Sequence, residues 1–304
     1  MAGKLLGLIK LMRVEQWYKN AMMFVPLVFS MHLLDAGVGL AAIKGFAALC
    51  LVSSASYAIN DIIDVEKDRA HPEKRKRPVA SGTIGIPLAL VLAVVFIAAS
   101  VFLGLKVSRM FTFFVGVLFV STMVYSFFLK NLIYADVITI ATNFVIRTVS
   151  GAYVMQTGLV PFVEISPWLI LCPFFLAMFL VSGKRYGDLV VMERPELHKK
   201  VLKDYTKESA LALVDASMTL LLMVYSLYTY YNERKAMMIT IPLAMFIILR
   251  YRFLMVKEPR IARHPHEAYK DRQLFVGVLM FCVLVAVILF FDQSIAAFFQ
   301  LSLR

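Results

Sequence analysis

The sequence predicts an all-α membrane protein in which nine transmembrane helices surround a polar cavity on the cytoplasmic side. Of its 304 residues, 61% are hydrophobic, and the mean hydropathy is +0.77, whereas soluble domains are about 45–50% apolar. A helix that crosses a bilayer needs ~20 mostly apolar residues. Stretches of about this length, most of them uncharged in their central turns, cover 21–36, 39–59, 84–105, 109–129, 133–156, 165–183, 211–231, 236–255 and 273–292.

The segment before the first stretch, residues 1–20, has the pattern of an amphipathic helix at the membrane surface. Lys4, Lys10, Arg13 and Lys19 are interspersed there with leucine, isoleucine and methionine residues. Such a mixture of basic and apolar residues is typical of a helix that lies in the interface. We therefore expect this segment to lead into the first span, and we expect no cleavable signal peptide.

The net charge of +12 is distributed in a way that predicts membrane topology and excludes nucleic acid as the partner. With the N-terminus in the cytoplasm, 25 of the 32 Lys and Arg residues fall on the cytoplasmic side and six on the other. This asymmetry follows the positive-inside rule for an odd number of spans. We expect a multi-pass protein of the cytoplasmic membrane whose N-terminus and active site face the cytoplasm.

The chain is expected to form one membrane domain over residues 1–304, without a linker. Two cytoplasmic segments, 60–82 and 184–210, are long and highly charged. Long charged loops that join spans on one side are suited to cover the mouth of a cavity. They are the predicted active-site loops, and the apolar surface of the helices also permits a homo-oligomer.

Three aspartates at the end of the second predicted span have the spacing of one helix face. If that helix continues to about residue 68, Asp61, Asp64 and Asp68 lie on one side of it. Carboxylates so arranged repel one another unless a positive charge lies between them. Mg²⁺ is bound by a few carboxylates together with substrate phosphates, and Mn²⁺ is an alternative. Asn60 extends this polar stripe toward the membrane, so the stripe predicts a metal–diphosphate site.

A basic run follows the aspartates directly. Lys74, Arg75 and Arg77 are placed to neutralise phosphate charge that a metal ion leaves over. The alternative is a solvated, charged loop that only fixes topology. The coincidence of the basic run with the aspartates at a helix end favours the phosphate interpretation.

The fifth predicted span carries Asp136, Asn143 and Arg147 at helical spacing on one face. Ionisable residues inside a membrane are costly and usually face the bundle interior or a wet cavity. Two interpretations remain open. Asp136 or Asn143 satisfies Arg147 as a structural pair, or Arg147 lines the substrate cavity as a contact for an anion.

The sixth predicted span ends in SGKRYGDL, where Lys184, Arg185 and Tyr186 precede Asp188. The two basic residues share a face with Asp188 if the helix continues. This segment predicts a second phosphate or metal site facing the first. The alternative is an ordinary positively charged helix end.

Further candidates lie near the expected mouth of the cavity. Gln16, Lys19 and Asn20 belong to the run RVEQWYKN before the first span. Tyr125 and Lys130 flank the end of the fourth span. Each is placed to reach a phosphate, although the aromatic residues of these segments also fit an interfacial belt.

These segments resemble the UbiA superfamily of intramembrane transferases over nearly the whole chain. The superfamily resemblance is carried by NDIIDVEKD after the second span. The fuller pattern of RVEQWYKN, NDIIDVEKDRAHPEKRKRP, SGKRYGDL and the LRY of Leu249–Tyr251 is similar to the branch that transfers phosphoribose to a polyprenyl phosphate. The resemblance implies a UbiA-like bundle.

The resemblance also implies the substrates and the site residues. The donor would be phosphoribosyl pyrophosphate and the acceptor a polyprenyl phosphate of decaprenyl type, and the product would be an arabinan precursor for the cell envelope. The implied metal ligands are Asn60, Asp61, Asp64 and Asp68. Asp61 and Asp64 are also implied as catalytic residues, together with Lys184 and Asp188.

One departure from the superfamily bears on the choice of substrate. Members that transfer prenyl groups usually carry a second D-x-x-x-D motif after the sixth span, but here Asp188 is followed four residues later by Met192. The departure counts against ordinary prenyl transfer to an aromatic or glycerol-phosphate acceptor, which remains the alternative activity. A lipid-phosphate binder or transporter without catalysis is a further alternative.

Overall fold

The computed structural model describes residues 2–33, 35–70, 74–155 and 165–302, and the regular secondary structure within these ranges is helical. Short 3-10 segments join the α-helices. The α-helices are α1 (Ala2–Met12), α2 (Val25–Phe29), α3 (Ala36–Ile63), α4 (Val65–Ala70), α5 (Ile86–Leu105), α6 (Arg109–Phe127), α7 (Ala135–Ala152), α8 (Pro167–Val191), α9 (Pro195–His198), α10 (Lys207–Tyr231), α11 (Ile241–Lys257), α12 (Pro259–Arg263) and α13 (Arg272–Ser302).

Among the described residues, seven helical segments are long and apolar enough to cross a membrane, which confirms an all-α polytopic protein. Each corresponds to one of the predicted stretches, with ends that differ by a few residues in most cases. They are Gly37–Ile63, Ile86–Leu105, Arg109–Phe127, Pro167–Val191, Lys207–Tyr231, Lys235–Lys257 and Arg272–Phe291. The largest difference is α8, which continues as a helix to Val191 and so carries the whole SGKRYGDL run.

The other two predicted spans are not among these seven, and nine spans stays a prediction. The stretch 21–36 is divided between the 3-10 helix Val14–Phe24 and the five-residue α2. Pro26 in the first turn of α2 lacks a backbone N–H, and Met31 has a φ of 62° just after α2 ends. The stretch 133–156, whose last residue lies outside the described ranges, contains α7 with 18 residues and several polar side chains.

The chain is organised as two compact units. The first comprises Met1–Leu132 and Thr142–Leu169. Its core is formed around α3 by small and large apolar side chains, with Leu49 and Phe111 completely buried. Gly151 allows a close approach, because a Cβ there would collide with the backbone carbonyl of Met23. The last turns of α7 therefore lie directly against the 3-10 helix.

The second unit comprises Ile133–Ala141 and Ile170–Arg304. Phe179, Tyr251 and Met255 belong to its core, and the rings of Phe179 and Tyr251 meet edge to face at 5.7 Å. A Cβ at Gly187 would lie 2.7 Å from the carbonyl oxygen of Pro259, and one at Gly183 would lie 2.7 Å from the Met255 side chain. These two glycines therefore let α8 lie close to α11 and α12.

Candidate active site

The aspartate-rich segment of the first unit is interrupted at one residue. The prediction of a continuous helix to residue 68 is wrong, because α3 ends at Ile63 and Asp64 takes a non-helical conformation (φ −91°, ψ 9°) before α4 begins. The interruption is slight. The Asp64 N–H still donates to the Asn60 carbonyl at 3.0 Å, and the Asp68 N–H donates to the Asp64 carbonyl at 2.8 Å.

Asp61 and Asp68 lie on the same side of this segment and share one cation. The Arg77 Nη1 donates to Asp68 Oδ2 at 2.6 Å and to Asp61 Oδ1 at 3.3 Å. Arg13 Nη2 donates to the same Asp61 oxygen at 2.5 Å, and its guanidinium lies 4.6 Å from the centre of the Tyr57 ring. Both aspartates are buried, so these contacts balance charges that water does not reach.

Asp64 has a different partner. The Lys130 Nζ donates to both of its carboxylate oxygens, at 2.9 and 3.1 Å. Lys67 Nζ lies 3.8 Å away and is mostly exposed. The structure therefore brings Asp61, Asp64 and Asp68 together with predicted phosphate ligands, and each aspartate contacts at least one cation.

The rest of the basic run lies close to the aspartates. Burial, followed by the positive charge of Arg77, lowers the pKa of Lys74, while Asp68 and Asp64 oppose that shift. Arg75 is exposed, in the 3-10 helix Lys74–Lys76. Cations surrounding the aspartates give this part of the first unit the mixed charge expected of a site for a metal ion and phosphate groups.

The oxygen donors of this segment fit a magnesium ion that is shared with a substrate. Among the described residues, no three His, Cys, Asp or Glu side chains come together as a cage for a metal ion. Mg²⁺ does not need such a cage, since it is usually held by one or two carboxylates plus phosphates and water. Asn60 Oδ1 and Asp61 Oδ2 are adjacent in sequence, buried and without a hydrogen-bond partner among the described residues. Both are hard oxygen donors of the kind Mg²⁺ prefers.

A second polar group lies deeper in the first unit, around Arg147. Its Nε donates to Asn20 Oδ1 at 2.8 Å, and its Nη1 donates to the backbone carbonyl of Asn143 at 2.8 Å. Asn20 is in turn fixed by Cys50 and Ser53, through contacts of 3.4 Å each. Arg147 is 8% exposed, and no carboxylate of the described residues lies within 4.0 Å of it. A buried cation with neutral partners is suited to hold an anion.

Lys19 adds to the positive charge near Arg147. Its pKa is lowered to about 8, chiefly by burial and then by the charges of Arg147 and Arg13. The side chain is partly exposed. The positive charges of Arg147 and Arg13 disfavour the charged form of Lys19 and so lower its pKa as well. Gln16 lies in the same 3-10 helix and is partly exposed. Tyr125, on α6, is partly buried.

In the second unit, Asp136 is bound by Arg185 and Tyr205. Arg185 Nε donates to Asp136 Oδ2 at 2.7 Å, and the Tyr205 hydroxyl donates to Asp136 Oδ1 at 2.9 Å. All three residues are buried. The interpretation of Asp136 as the structural partner of Arg147 is therefore wrong. Asn143 meets Arg147 through its backbone carbonyl, while its side-chain Oδ1 has no hydrogen-bond partner among the described residues.

Asp188 lies one turn after Arg185 and is enclosed by cations. Lys199 Nζ donates to its Oδ2 at 3.1 Å, and Arg263 Nε donates to its Oδ1 at 3.1 Å. Arg185 Nη1 is 4.0 Å from Asp188 Oδ2. Lys184 is exposed and Tyr186 is partly buried. The residues of the SGKRYGDL run therefore differ in their surroundings. Arg185 and Asp188 are buried and held by hydrogen bonds, whereas Lys184 is exposed to solvent.

Several residues of these clusters were missed by sequence reasoning. Arg13 pairs with Asp61 across 48 residues, Tyr205 binds Asp136 across 69, and Arg263 binds Asp188 across 75. Arg13 was visible as part of RVEQWYKN, but Lys199, Tyr205 and Arg263 belong to charged loops without a recognisable motif. Only the folded chain brings them to the aspartates.

The chain matches a known protein family over most of its length. The profile of the UbiA prenyltransferase family matches residues 23–265. The chain therefore belongs to the UbiA prenyltransferase family. Together with the apolar helices, this membership makes it a multi-pass integral membrane protein and a transferase.

Two curated relatives of this chain carry the same name. A decaprenyl-phosphate phosphoribosyltransferase of Mycolicibacterium smegmatis is 29% identical over 307 residues, which cover 94% of this chain and 93% of the relative. A protein of the same name from Corynebacterium glutamicum is 30% identical over 235 residues, covering 74% of this chain and 67% of the relative.

Solved structures share the fold. A UbiA homolog from Archaeoglobus fulgidus bound to GPP and Mg²⁺ superimposes with a TM-score of 0.70 at 19% identity, covering 93% of this chain and 99% of that one. The apo structure of a UbiA homolog from Aeropyrum pernix gives a TM-score of 0.66 at 14% identity, covering 89% and 98%. These structures establish that the chain has a UbiA fold.

Proposed function

We propose that this transferase moves 5-phosphoribose from phosphoribosyl pyrophosphate to a polyprenyl phosphate of decaprenyl type and releases pyrophosphate. The proposal rests on the similarity to two relatives named decaprenyl-phosphate phosphoribosyltransferase, one of which covers 94% of the chain. Mg²⁺ is the proposed cofactor, with Mn²⁺ as a substitute. The product would serve as an arabinan precursor in cell-envelope synthesis.

One structural observation favours a phosphoribosyl donor over a prenyl donor. A prenyl diphosphate carries all its charge in one diphosphate, whereas phosphoribosyl pyrophosphate carries an additional 5-phosphate. In the second unit, Asp136 and Asp188 are outnumbered by Arg185, Lys199 and Arg263 within the same cluster. Lys184 adds an exposed positive charge. This cation excess, in place of a second acidic motif, suits a phosphate group.

The aspartate-rich segment is the proposed site for the metal ion and the pyrophosphate. Asn60, Asp61, Asp64 and Asp68 would supply oxygen ligands. A bound Mg²⁺ would neutralise charge that develops on the departing pyrophosphate. Arg77 already donates to two of these aspartates, and its guanidinium is suited to bind phosphate oxygens as well. Lys74, Arg75 and Lys130 would add positive charge, and the Tyr125 hydroxyl would donate a hydrogen bond to a phosphate oxygen.

The Arg147 group is the proposed site for the acceptor phosphate. Arg147 and Lys19 supply positive charge, and Asn20 holds the Arg147 guanidinium in place. The side-chain NH2 groups of Asn143 and Gln16 are further hydrogen-bond donors in the same unit. An oxygen of a lipid phosphate is already anionic, so its attack on the anomeric carbon needs no strong general base. Catalysis would then depend on positioning and charge stabilisation.

The remaining site residues complete the proposal. Lys184, Arg185 and Tyr186 are proposed phosphate contacts, and Asp188 orders the cations around it. The distribution of Lys and Arg supports a cytoplasmic-membrane protein whose N-terminus and active site face the cytoplasm. The soluble donor would then be drawn from the cytoplasm and the lipid acceptor from the bilayer. One domain over residues 1–304 and a homo-oligomer remain part of the proposal.

Prenyl transfer is the second candidate, and a specific observation favours it. The family is named for prenyl transfer, and the Archaeoglobus structure of the same fold was solved with GPP and Mg²⁺. This candidate predicts consumption of an allylic diphosphate and none of phosphoribosyl pyrophosphate. A non-catalytic lipid-phosphate binder or transporter would give no covalent product with either donor.

The experiment uses purified protein in detergent with Mg²⁺, phosphoribosyl pyrophosphate labelled in the ribose, and a polyprenyl phosphate. After extraction into organic solvent, the proposal predicts label in the lipid phase, lost with a chelator and reduced at least ~100-fold in Asp61→Asn, since removal of a key electrostatic group costs about that much. Lys76→Met, an exposed residue of the same basic run, is the matched control. Transfer from an allylic diphosphate in place of ribose label would contradict the proposal.

A further inference from the structure

We propose that Tyr205 is a positioning residue for the phosphate-binding cation Arg185, acting through the carboxylate of Asp136. The inference deepens the proposed function and rests on it, because it assumes that Arg185 contacts a phosphate of the donor. Its basis is a chain of three hydrogen bonds in the second unit that begins at the backbone of Tyr134 and ends at the Arg185 guanidinium.

The direction of each hydrogen bond in this chain is fixed by chemistry. The backbone N–H of Tyr134 can only donate, and it donates to the Tyr205 hydroxyl oxygen at 3.0 Å. The single proton of that hydroxyl is therefore available to Asp136 Oδ1, 2.9 Å away. The other carboxylate oxygen of Asp136 accepts from Arg185 Nε at 2.7 Å. A guanidinium is always a donor, so no member of the chain can reverse its role.

Burial makes this chain of hydrogen bonds rigid. Asp136 is completely buried, Arg185 is 2% exposed and Tyr205 is 4% exposed. Burial and the negative charge of Asp136 raise the pKa of Tyr205, which keeps the phenol protonated. A buried ion pair is stable only when its remaining hydrogen-bonding capacity is satisfied. Tyr205 provides this for Asp136, and Asp136 in turn orients Arg185.

The backbone on both sides of the chain is also constrained. Tyr134 has a φ of 63°, a left-handed conformation that costs a non-glycine residue ~1 kcal/mol or more. Its N–H bond to Tyr205 and its ring contact with Tyr205, edge to face at 5.8 Å, hold it there. Arg185 lies between Gly183 and Gly187, where α8 closely approaches Met255 and Pro259. Neither Tyr134 nor Arg185, the two ends of the hydrogen-bond chain, can shift without disturbing close packing.

The position of Tyr205 in the sequence gives this chain a functional consequence. Tyr205 lies in the connection between α9 and α10, which also carries Lys199, the partner of Asp188. Val201 and Leu202, between them, are buried and hold the connection in place. The connection therefore contacts the KRYGD run directly through Lys199 and indirectly through Tyr205, which binds the Asp136 carboxylate that Arg185 also contacts. The folded connection orients the Arg185 guanidinium before the donor arrives. Because the guanidinium is already ordered, donor binding costs less conformational entropy.

The test is a double-mutant cycle of Tyr205→Phe and Arg185→Lys, measured as the Kd for phosphoribosyl pyrophosphate with Mg²⁺ by calorimetry in detergent. Tyr205→Phe removes only the hydroxyl. We expect it to weaken binding about 10-fold, since a hydrogen bond to a charged group contributes ~1.5 kcal/mol or more. Arg185→Lys should weaken binding as well, because lysine cannot reproduce the guanidinium geometry. In the double variant, Tyr205→Phe should add less than about twofold, as expected for residues that act through one another.

Controls separate this role from a structural one. Tyr269→Phe, which removes a hydroxyl from an exposed tyrosine of the same unit, should leave the Kd unchanged. In turnover, Tyr205→Phe should raise KM for the donor while kcat stays within about threefold. If Tyr205→Phe does not fold, Asp136→Asn takes its place in the cycle.

Two outcomes overturn the inference in distinguishable ways. If wild-type protein binds the donor and Tyr205→Phe lowers only the melting temperature, with an unchanged Kd or an effect that adds fully to that of Arg185→Lys, Tyr205 is structural and the proposed function stands. If wild-type protein does not bind phosphoribosyl pyrophosphate at all, the proposed function fails and the inference fails with it.

Discussion

Arg147 and Asn20 are joined by a hydrogen bond of 2.8 Å between residues 127 positions apart in the sequence. The bond fixes a buried guanidinium that has no carboxylate within 4.0 Å among the described residues. A cation held by neutral groups keeps its charge available for a ligand, whereas one paired with a carboxylate does not. This relationship is the basis for assigning the acceptor phosphate to the Arg147 group.

The first prediction concerns this pair. Asn20→Ala should raise KM for the polyprenyl phosphate ~10-fold or more, because a hydrogen bond to a charged group contributes ~1.5–3 kcal/mol. Arg147→Lys keeps the charge but loses the Nε contact with Asn20, and it should have a similar effect. KM for the donor should change less than about twofold in both variants. A rise in KM for the donor alone would mean that Arg147 contacts the donor and not the acceptor phosphate.

The second prediction concerns the close approach at Gly151. A methyl group there would collide with the Met23 carbonyl, so Gly151→Ala should destabilise the protein by ~1–3 kcal/mol or more. It should also disturb the Asn20–Arg147 contact, because both partners lie one turn from the collision. Gly116→Ala in α6 is the matched control, since a Cβ there meets nothing within 4 Å and alanine favours a helix. Equal melting temperatures of the two variants in detergent would refute the close approach.

The third prediction concerns Arg77, which bridges Asp68 and Asp61. Arg77→Met should lower the melting temperature, because removal of one partner leaves a buried carboxylate less well compensated. Asp61 retains Arg13, so the loss falls mainly on Asp68. Adding Asp68→Asn to Arg77→Met should restore part of the stability while transfer activity stays low. If Asp68→Asn instead lowers stability further, Arg77 is not the main counter-charge of Asp68.

The fourth prediction is a pH dependence of acceptor binding. The pKa of Lys19 is lowered to about 8, so its ammonium is charged below that pH and neutral above it. A bound phosphate favours the charged form, which means that binding takes up a proton when the pH is above 8. Affinity for the polyprenyl phosphate should therefore fall as the pH rises from 8 to 9.5. Lys19→Met should bind more weakly at pH 7 and should lose this inflection. An inflection that persists in Lys19→Met would assign the titration to another group.

Much of the fold was predictable because hydrophobic length is a local signal. Seven predicted spans are confirmed as helices with ends that differ by only a few residues in most cases. The two exceptions have physical causes. Pro26 and the 3-10 geometry divide the stretch 21–36, and polar residues such as Asp136 and Arg147 lower the hydropathy of α7.

The candidate site was predictable where its residues are close in sequence. Asp61, Asp68 and Arg77 lie within one short run, and the structure places the Arg77 guanidinium against both aspartates. The partners of Asp136 and Asp188 were not predictable, because Tyr205 and Arg263 come from distant loops. Helical spacing on α7 left a pairing of Asp136 with Arg147 open, but two residues eleven positions apart on one helix are separated by about 16 Å along its axis. Arg185 and Tyr205 bind Asp136 instead.

The most direct test of the central claim is the release of pyrophosphate as a function of substrate pairing. Wild-type protein with Mg²⁺ is given phosphoribosyl pyrophosphate or an allylic diphosphate. Each donor is tested alone, with polyprenyl phosphate, and with an aromatic or a glycerol-phosphate acceptor, and pyrophosphate is measured over time. Phosphoribosyl transfer predicts release only when phosphoribosyl pyrophosphate and polyprenyl phosphate are both present, together with a lipid product heavier by one phosphoribosyl group. Release from the allylic diphosphate, or from phosphoribosyl pyrophosphate without the lipid, would contradict it.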